Sequence, residues 1–328
     1  MINEKKILVF SNGEKIGDGI IKLPLLNEIK KRLPNYKLIW MTDKGTTVYN
    51  KELKNISSLF IDEIIEKANL NPFFWQNISD NYDLSKMKFE YILDTQKAVF
   101  RTISLKRIKS SIFISATAAG FFSTKKIIKN KKKIRKYYLE DLYTLLNLIK
   151  NSSVDNNFKF PLPQLLENKL RKIFTKNNNY IGIAPGAGEK DKIWSIDNFI
   201  EVGKYFEKKS YSLVFFLGPS EKKIKSKIFN VFPKALFPED MIKDYSGTEI
   251  VIAATKFLSC AITNDSGASH MLSTKYCPLI KLFGPKDANK FTISDKRILT
   301  IKSDKFGSKD INEIPVNYVI KKTEEFIK

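Results

Sequence analysis

Residues 6 to 41 read KILVFSNGEKIGDGIIKLPLLNEIKKRLPNYKLIWM. Lys6 to Phe10 is a short apolar run, suited to a strand buried on both faces. A glycine-bearing loop, Ser11 to Gly19, follows it. Ile20, Leu23, Leu26, Ile29 and Leu33 then recur at the spacing of one helix face. Pro24 falls in an early turn, where proline is tolerated, and Pro34-Asn35 ends the helix. Lys37 to Met41 supplies a second strand. Strand, helix and strand in that order make a β-α-β unit, which implies a parallel sheet.

The alternation continues outward. Tyr91 to Asp94 and Ser111 to Ser115 read as strands. Asn151 to Asn157 is polar and aperiodic, and Pro161 and Pro163 follow it, as at an approach to an interdomain connection. Leu165 to Phe174 reads as a bridging helix. The second half alternates again: strand Tyr180 to Ala184, helix Ile196 to Glu207, strand Leu213 to Leu217, then the turn Gly218 to Glu221 into a basic helix. Helix Glu249 to Leu258, strand Cys260 to Thr263, a loop and helix from Asn264 to Thr274, strand Leu279 to Phe283 and helix Val316 to Ile327 complete it. The expected fold is α/β, two Rossmann-like doubly wound parallel-sheet domains around a central cleft. The domains are 1–160 and 179–328, with 161–178 as linker and the last helix free to pack back on the first domain. A chain of 328 residues accommodates two domains of ordinary size. In such sheets ligands bind outside the carboxyl ends of the strands.

Composition narrows the function. Hydrophobic residues make up 43% of the chain, enough for packed cores. No stretch approaches the roughly 18 apolar residues of a membrane-spanning helix, and no secretory signal opens the chain, so the cytoplasm is expected. Two cysteines, Cys260 and Cys277, are too few for a disulfide framework or a zinc site and read as packing residues. The net charge of +22 suits an anionic partner, or it reflects a lysine-rich composition spread along the whole length. No nucleic-acid module accompanies it, so a phosphorylated lipid surface is favoured over nucleic acid. Lys125 to Lys136 is the densest basic run, a solvated face or a contact with lipid phosphates.

Three loops at strand ends combine glycine with charged or hydroxyl residues. In Gly17-Asp18-Gly19 the glycines let the backbone bend, and Asp18 reads either as a helix N-cap or as a carboxylate facing the cleft. Pro185 to Trp194 holds Gly186 and Gly188 with Lys190 and Lys192, an anion-binding composition or a polar surface loop. Thr263 to His270 offers Asp265, Ser266 and Gly267 before a helix, and His270 is the single histidine.

The order of these loops resembles glycosyltransferase family 9, the lipopolysaccharide heptosyltransferases. Ile16-Gly17-Asp18 with Leu23-Pro24 is similar to the family's LGD-x-x-x-x-LP motif, and Pro185-Gly186-Ala187, Lys192, Trp194 and Asn198-Phe199 to its PGA…K-x-W…NF motif. Asn264-Asp265-Ser266-Gly267 with His270 matches NDSG-x-x-H, and Leu282 to Asp287 matches LFGP-x-D. Ser195 replaces the family's proline after the tryptophan, and Gly19 its apolar residue after the aspartate. Residues 52 to 88 match no motif of the family.

The resemblance implies the GT-B architecture and inverting transfer of a sugar, typically heptose from ADP-heptose, to a lipopolysaccharide-core or other surface glycolipid acceptor. By motif position it implies Asp18 as general base. It places Gly186, Lys192, Glu221, Asp265, Ser266, Gly267 and His270 around the donor, with Glu221 near the nucleoside. A non-catalytic nucleotide-sugar binder on the same fold is the alternative. No D-x-D pair occurs, so no obligatory metal or other cofactor is expected. A peripheral place at the cytoplasmic face of the inner membrane follows from the acceptor and the charge.

Overall fold

The structure is a computed structural model describing residues 4–126, 138–154, 158–176, 178–218, 221–273, 276–284 and 296–327. Most of the basic run 125–136, the Pro219-Ser220 turn and Pro285-Lys286-Asp287 lie outside the described residues. Contacts divide the chain into two units, one reaching Phe158 and one beginning at Lys159.

In the first unit the elements are β1 (Lys6–Ser11), α1 (Ile16–Arg32), β2 (Lys37–Thr42), α2 (Lys54–Ser57), β3 (Glu63–Ile65), β4 (Lys88–Asp94), α3 (Val99–Lys106), β5 (Lys109–Ser115) and α4 (Tyr138–Ile149). The strands form one sheet in the order β3-β2-β1-β4-β5, every neighbouring pair parallel. Side chains alternate across the sheet. Leu8, Phe10, Ile39, Met41 and Ile92 pack one face with Leu105 of α3, while Ile7, Val9, Leu38 and Trp40, equally buried, point to the other. That double burial is why these strands read as continuous apolar runs.

One expectation is corrected here. Helix α1 begins at Ile16, so Gly17-Asp18-Gly19 is its first turn and no loop. Lys15 caps it without a side-chain hydrogen bond, and Asp18 lies inside the helix as an exposed first-turn residue, not as the N-cap. Packing overrides the weak helix propensity of glycine: a Cβ on Gly19 would lie 2.4 Å from Val48 Cγ2. The early start also places Pro24 well inside the helix.

In the second unit follow α5 (Gln164–Ile173), β6 (Asn179–Ala184), α6 (Ile196–Lys208), β7 (Tyr211–Phe215), α7 (Lys222–Val231), α8 (Pro238–Met241), α9 (Gly247–Ala254), β8 (Cys260–Asn264), α10 (Gly267–Leu272), β9 (Leu279–Phe283), β10 (Ile298–Lys302) and α11 (Val316–Ile327). The sheet order is β10-β9-β8-β6-β7, again all parallel. One core layer gathers Trp194, Phe199, Phe206 and Phe215; the other gathers Leu170, Phe216, Val251 and Leu279. Helix α11 packs on α6, where Tyr205 donates a 2.7 Å hydrogen bond to Glu324. Cys260 and Cys277 are buried free thiols. The fold class read from the sequence, two α/β parallel-sheet domains, is the observed one.

Candidate active site

Strand order locates a crevice in each unit. After β1 the chain adds β2 and β3 on one side, then crosses to add β4 on the other. In the second unit it adds β7 beside β6 and then crosses to β8. Loops leaving β1 and β4, or β6 and β8, therefore diverge, and the carboxyl ends between them are open to a ligand.

In the first unit this point is occupied by an unusually polar interior. The Lys22 ammonium is buried in α1, 2.8 Å from Ser11 Oγ, 3.5 Å from Glu14 Oε1 and 5.6 Å from the Trp40 ring centre. Burial lowers the Lys22 pKa, opposed by the charges of Glu14 and Asp18. Glu14 accepts a 2.6 Å hydrogen bond from Thr47 through its other oxygen. Gln96, following β4, reaches Ser11 Oγ at 3.3 Å, and Tyr138 donates to the Thr95 carbonyl at 3.0 Å. Burial pushes the Tyr138 hydroxyl up to about 12, with the charge of Asp18 adding to the shift. Asp18 stands one helical turn before Lys22, exposed, with its field reaching Lys22, Tyr49 and Tyr138. A carboxylate so placed can take a proton from a hydroxyl.

In the second unit Asn264 ties the two diverging loops together. Its amide donates to the Pro185 carbonyl at 2.6 Å, and its oxygen accepts the Trp194 N–H at 3.2 Å. Trp194 is itself fully buried and donates from its indole to the Ile314 carbonyl at 3.1 Å. This holds the turn that carries Lys192, whose Nζ lies 2.9 Å from Glu189 and 3.9 Å from Asp265. Ser195, in the place of the family's proline, caps α6 by accepting from the Asp197 N–H at 3.2 Å.

Ser266 begins α10 with its Oγ buried and without a hydrogen-bond partner among the described residues. Beneath it Lys281 is buried in β9, its pKa lowered by burial to about 8 against the pull of Asp265. His270 is held down at about 4, first by burial and then by the charge of Lys281, so it is neutral near pH 7. Glu221 accepts the Gly218 N–H at 2.8 Å and lies against Gly186, where a Cβ would meet Glu221 Oε1 at 1.4 Å. Burial raises the Glu221 pKa, and nearby Glu239 is pushed up to about 8 by the same cause.

The structure thus brings Gly186 to Glu221, and Lys192, Asp265, Ser266, Gly267 and His270 to the ends of β8 and β9, while Asp18 belongs to the other unit. The motif reading did not identify Glu14, Lys22, Glu239 or Lys281. A lysine within the apolar strand Leu279-Ile280-Lys281-Leu282-Phe283 was the one available signal.

Among the described residues no group of three or more His, Cys, Asp or Glu is placed to hold a metal ion, and no helix is long and apolar enough to cross a membrane. Comparison with known proteins completes the picture. The chain is 23% identical over 278 residues, 84% of its own length and 80% of the relative's, to lipooligosaccharide heptosyltransferase 2 of Campylobacter jejuni. Its structure matches the glycosyl transferase family 9 protein of Veillonella parvula with a TM-score of 0.75 at 18% identity, covering 98% and 97% of the two chains. It matches E. coli heptosyltransferase WaaC, solved with ADP-2-deoxy-2-fluoro heptose, with a TM-score of 0.69 at 17% identity over 98% and 99%. The architecture is accordingly GT-B. Residues 82–313 fit the model of glycosyltransferase family 9 (heptosyltransferase), so this chain belongs to that family and is a glycosyltransferase.

Proposed function

We propose that the protein transfers heptose, with inversion, from ADP-heptose to a lipopolysaccharide-core or related glycolipid acceptor at the cytoplasmic face of a membrane. The observation that carries this reading is the gathering of Lys192, Asp265 and the unpartnered Ser266 hydroxyl over Lys281 at the second sheet's switch point. Two ammonium groups, a free hydroxyl and loop N–H groups suit a diphosphate and the charge it gains on departure. The E. coli relative solved with a fluorinated ADP-heptose supports the choice of donor. Gly186 gives Glu221 room beside the cradle, where its carboxylate is available to nucleoside hydroxyls.

In the reaction the acceptor oxygen bonds to the anomeric carbon as the bond to the diphosphate oxygen breaks. The acceptor's hydroxyl proton passes to Asp18, and the diphosphate leaves onto the lysines. Lys22, paired with Glu14, stands one helical turn from Asp18. No metal takes part in this scheme.

Asp18→Asn tests it directly. Turnover of ADP-heptose with a core-glycolipid acceptor is expected to fall at least about 100-fold, since general-base help of this kind contributes roughly 10²–10⁴. ADP binding by calorimetry stays unchanged. Wild-type turnover in the variant removes Asp18 from the role, and donor binding by the unsubstituted protein without any product removes the transferase assignment of the site.

A further inference from the structure

The first unit exposes aromatic side chains that its core does not use. Phe73, Phe74 and Trp75 are 47%, 85% and 67% exposed, Phe100 is 67% exposed and Phe121 81%. Monomeric soluble proteins scatter such residues singly; here three adjoin in sequence and pack on one another. Trp75 stacks on Phe73 with ring centres 4.8 Å apart and meets Phe74 edge-on at 4.9 Å.

Phe73, Phe74 and Trp75 lie on the connection between β3 and β4, beside the C-terminal end of α3, the end that leads into β5. Arg107 donates to the Asn71 carbonyl at 2.7 Å and also to the Gln76 carbonyl, strapping both ends of the aromatic loop to the helix. Lys106 donates at 2.8 Å to the Phe122 carbonyl on the other side. The loop is held in place with its aromatic tips outward.

Charge identifies what the tips meet. From Thr95 to Lys126 there are seven lysines and arginines and no aspartate or glutamate. Of these, Lys97, Lys106, Lys109, Lys125 and Lys126 are exposed. In the loop, Asp83 pairs with Lys86, and Asp80 accepts from Asn71. The aromatic loop is thus held beside the end of a lysine-rich segment. Aromatic rings settle at the boundary of headgroups and acyl chains, and lysines beside them are drawn to anionic lipid.

We propose that this loop is a membrane-docking surface: Phe73, Phe74 and Trp75 insert into the interfacial layer of an anionic bilayer, with the lysines at and after the end of α3 beside them. The choice of a bilayer over a protein partner rests on the proposed lipid-linked acceptor; the insertion itself is measured without acceptor, so its failure and that of the transferase reading are told apart.

Trp75 reports on the contact directly, because the other two tryptophans, Trp40 and Trp194, are fully buried. The experiment mixes the intact protein with phosphatidylcholine vesicles with and without phosphatidylglycerol, and with vesicles of acyl-brominated lipid. Acrylamide is expected to quench Trp75 strongly in buffer. Anionic vesicles should shift its emission to the blue and protect it from acrylamide, and brominated chains should quench it. Phe73→Ser with Phe74→Ser should weaken vesicle partitioning by roughly tenfold or more, as loss of two buried rings implies. The doubly substituted protein should keep the wild-type melting temperature. Trp75 emission unmoved by anionic vesicles, or Trp75 already shielded from acrylamide in their absence, overturns the proposal.

Discussion

His270 sits in the short helix α10 near the buried Lys281, and its imidazole is held at about 4 against an ordinary 6.5. As pH falls, the unfolded chain takes up this proton first, so stability is fully present above about 6.5 and is lost towards pH 4. Each pH unit in that window removes roughly 1.4 kcal/mol, so the whole window is worth up to about 3 kcal/mol. Urea midpoints of wild type and His270→Asn should diverge in slope there, the variant being flatter. Equal slopes would show that the histidine is solvated in the native state. At the same scale, the buried ion pair of Lys22 and Glu14 has no sequence signature, because the residues meet only through tertiary folding. Asp18 was legible as a motif residue, yet its helical setting was not, since Val48 decides it from a distant segment.

At the scale of elements, Asn264 at the end of β8 is a clasp. It satisfies one buried carbonyl on the loop after β6 and one buried N–H before α6. Leaving such groups unpaired costs about 1–3 kcal/mol each. Asn264→Ala should therefore lower unfolding stability by roughly 2–4 kcal/mol in denaturant melts. It should also weaken ADP binding about tenfold by freeing the turn that carries Lys192. A variant that loses stability but binds ADP normally would separate the clasp from the cradle. Most central strands were legible as apolar runs bounded by turn residues, and α1, α6 and α11 as periodic faces. Strand β3 was not, because three residues at a sheet edge carry no period, and β10 and α4 were not singled out. Helix α9 starts at Gly247 and ends at Ala254, where a tighter turn, Thr255–Phe257, replaces the helix expected to reach Leu258.

Across the whole molecule the cationic excess is distributed; in the proposed transfer Lys192 and Lys281 would meet the diphosphate charge that many sugar transferases give to a divalent ion. Transfer is expected to survive excess EDTA with less than a twofold change in initial rate; an EDTA-sensitive rate restored by magnesium or manganese would assign the neutralising role to a metal. The two-domain α/β plan and family were legible because they rest on four motifs in order. The docking loop was not, since residues 52 to 88 match no motif and exposure depends on the packed fold.

The two sheets differ in wiring: the first strand of one unit has two neighbours to each side, whereas that of the other has a single strand on one flank and three on the other. A tandem copy of one ancestral segment would reproduce a single strand order, so the halves are not superposable repeats. Hybrids between family members should accordingly be spliced near residue 158, where contacts are sparse.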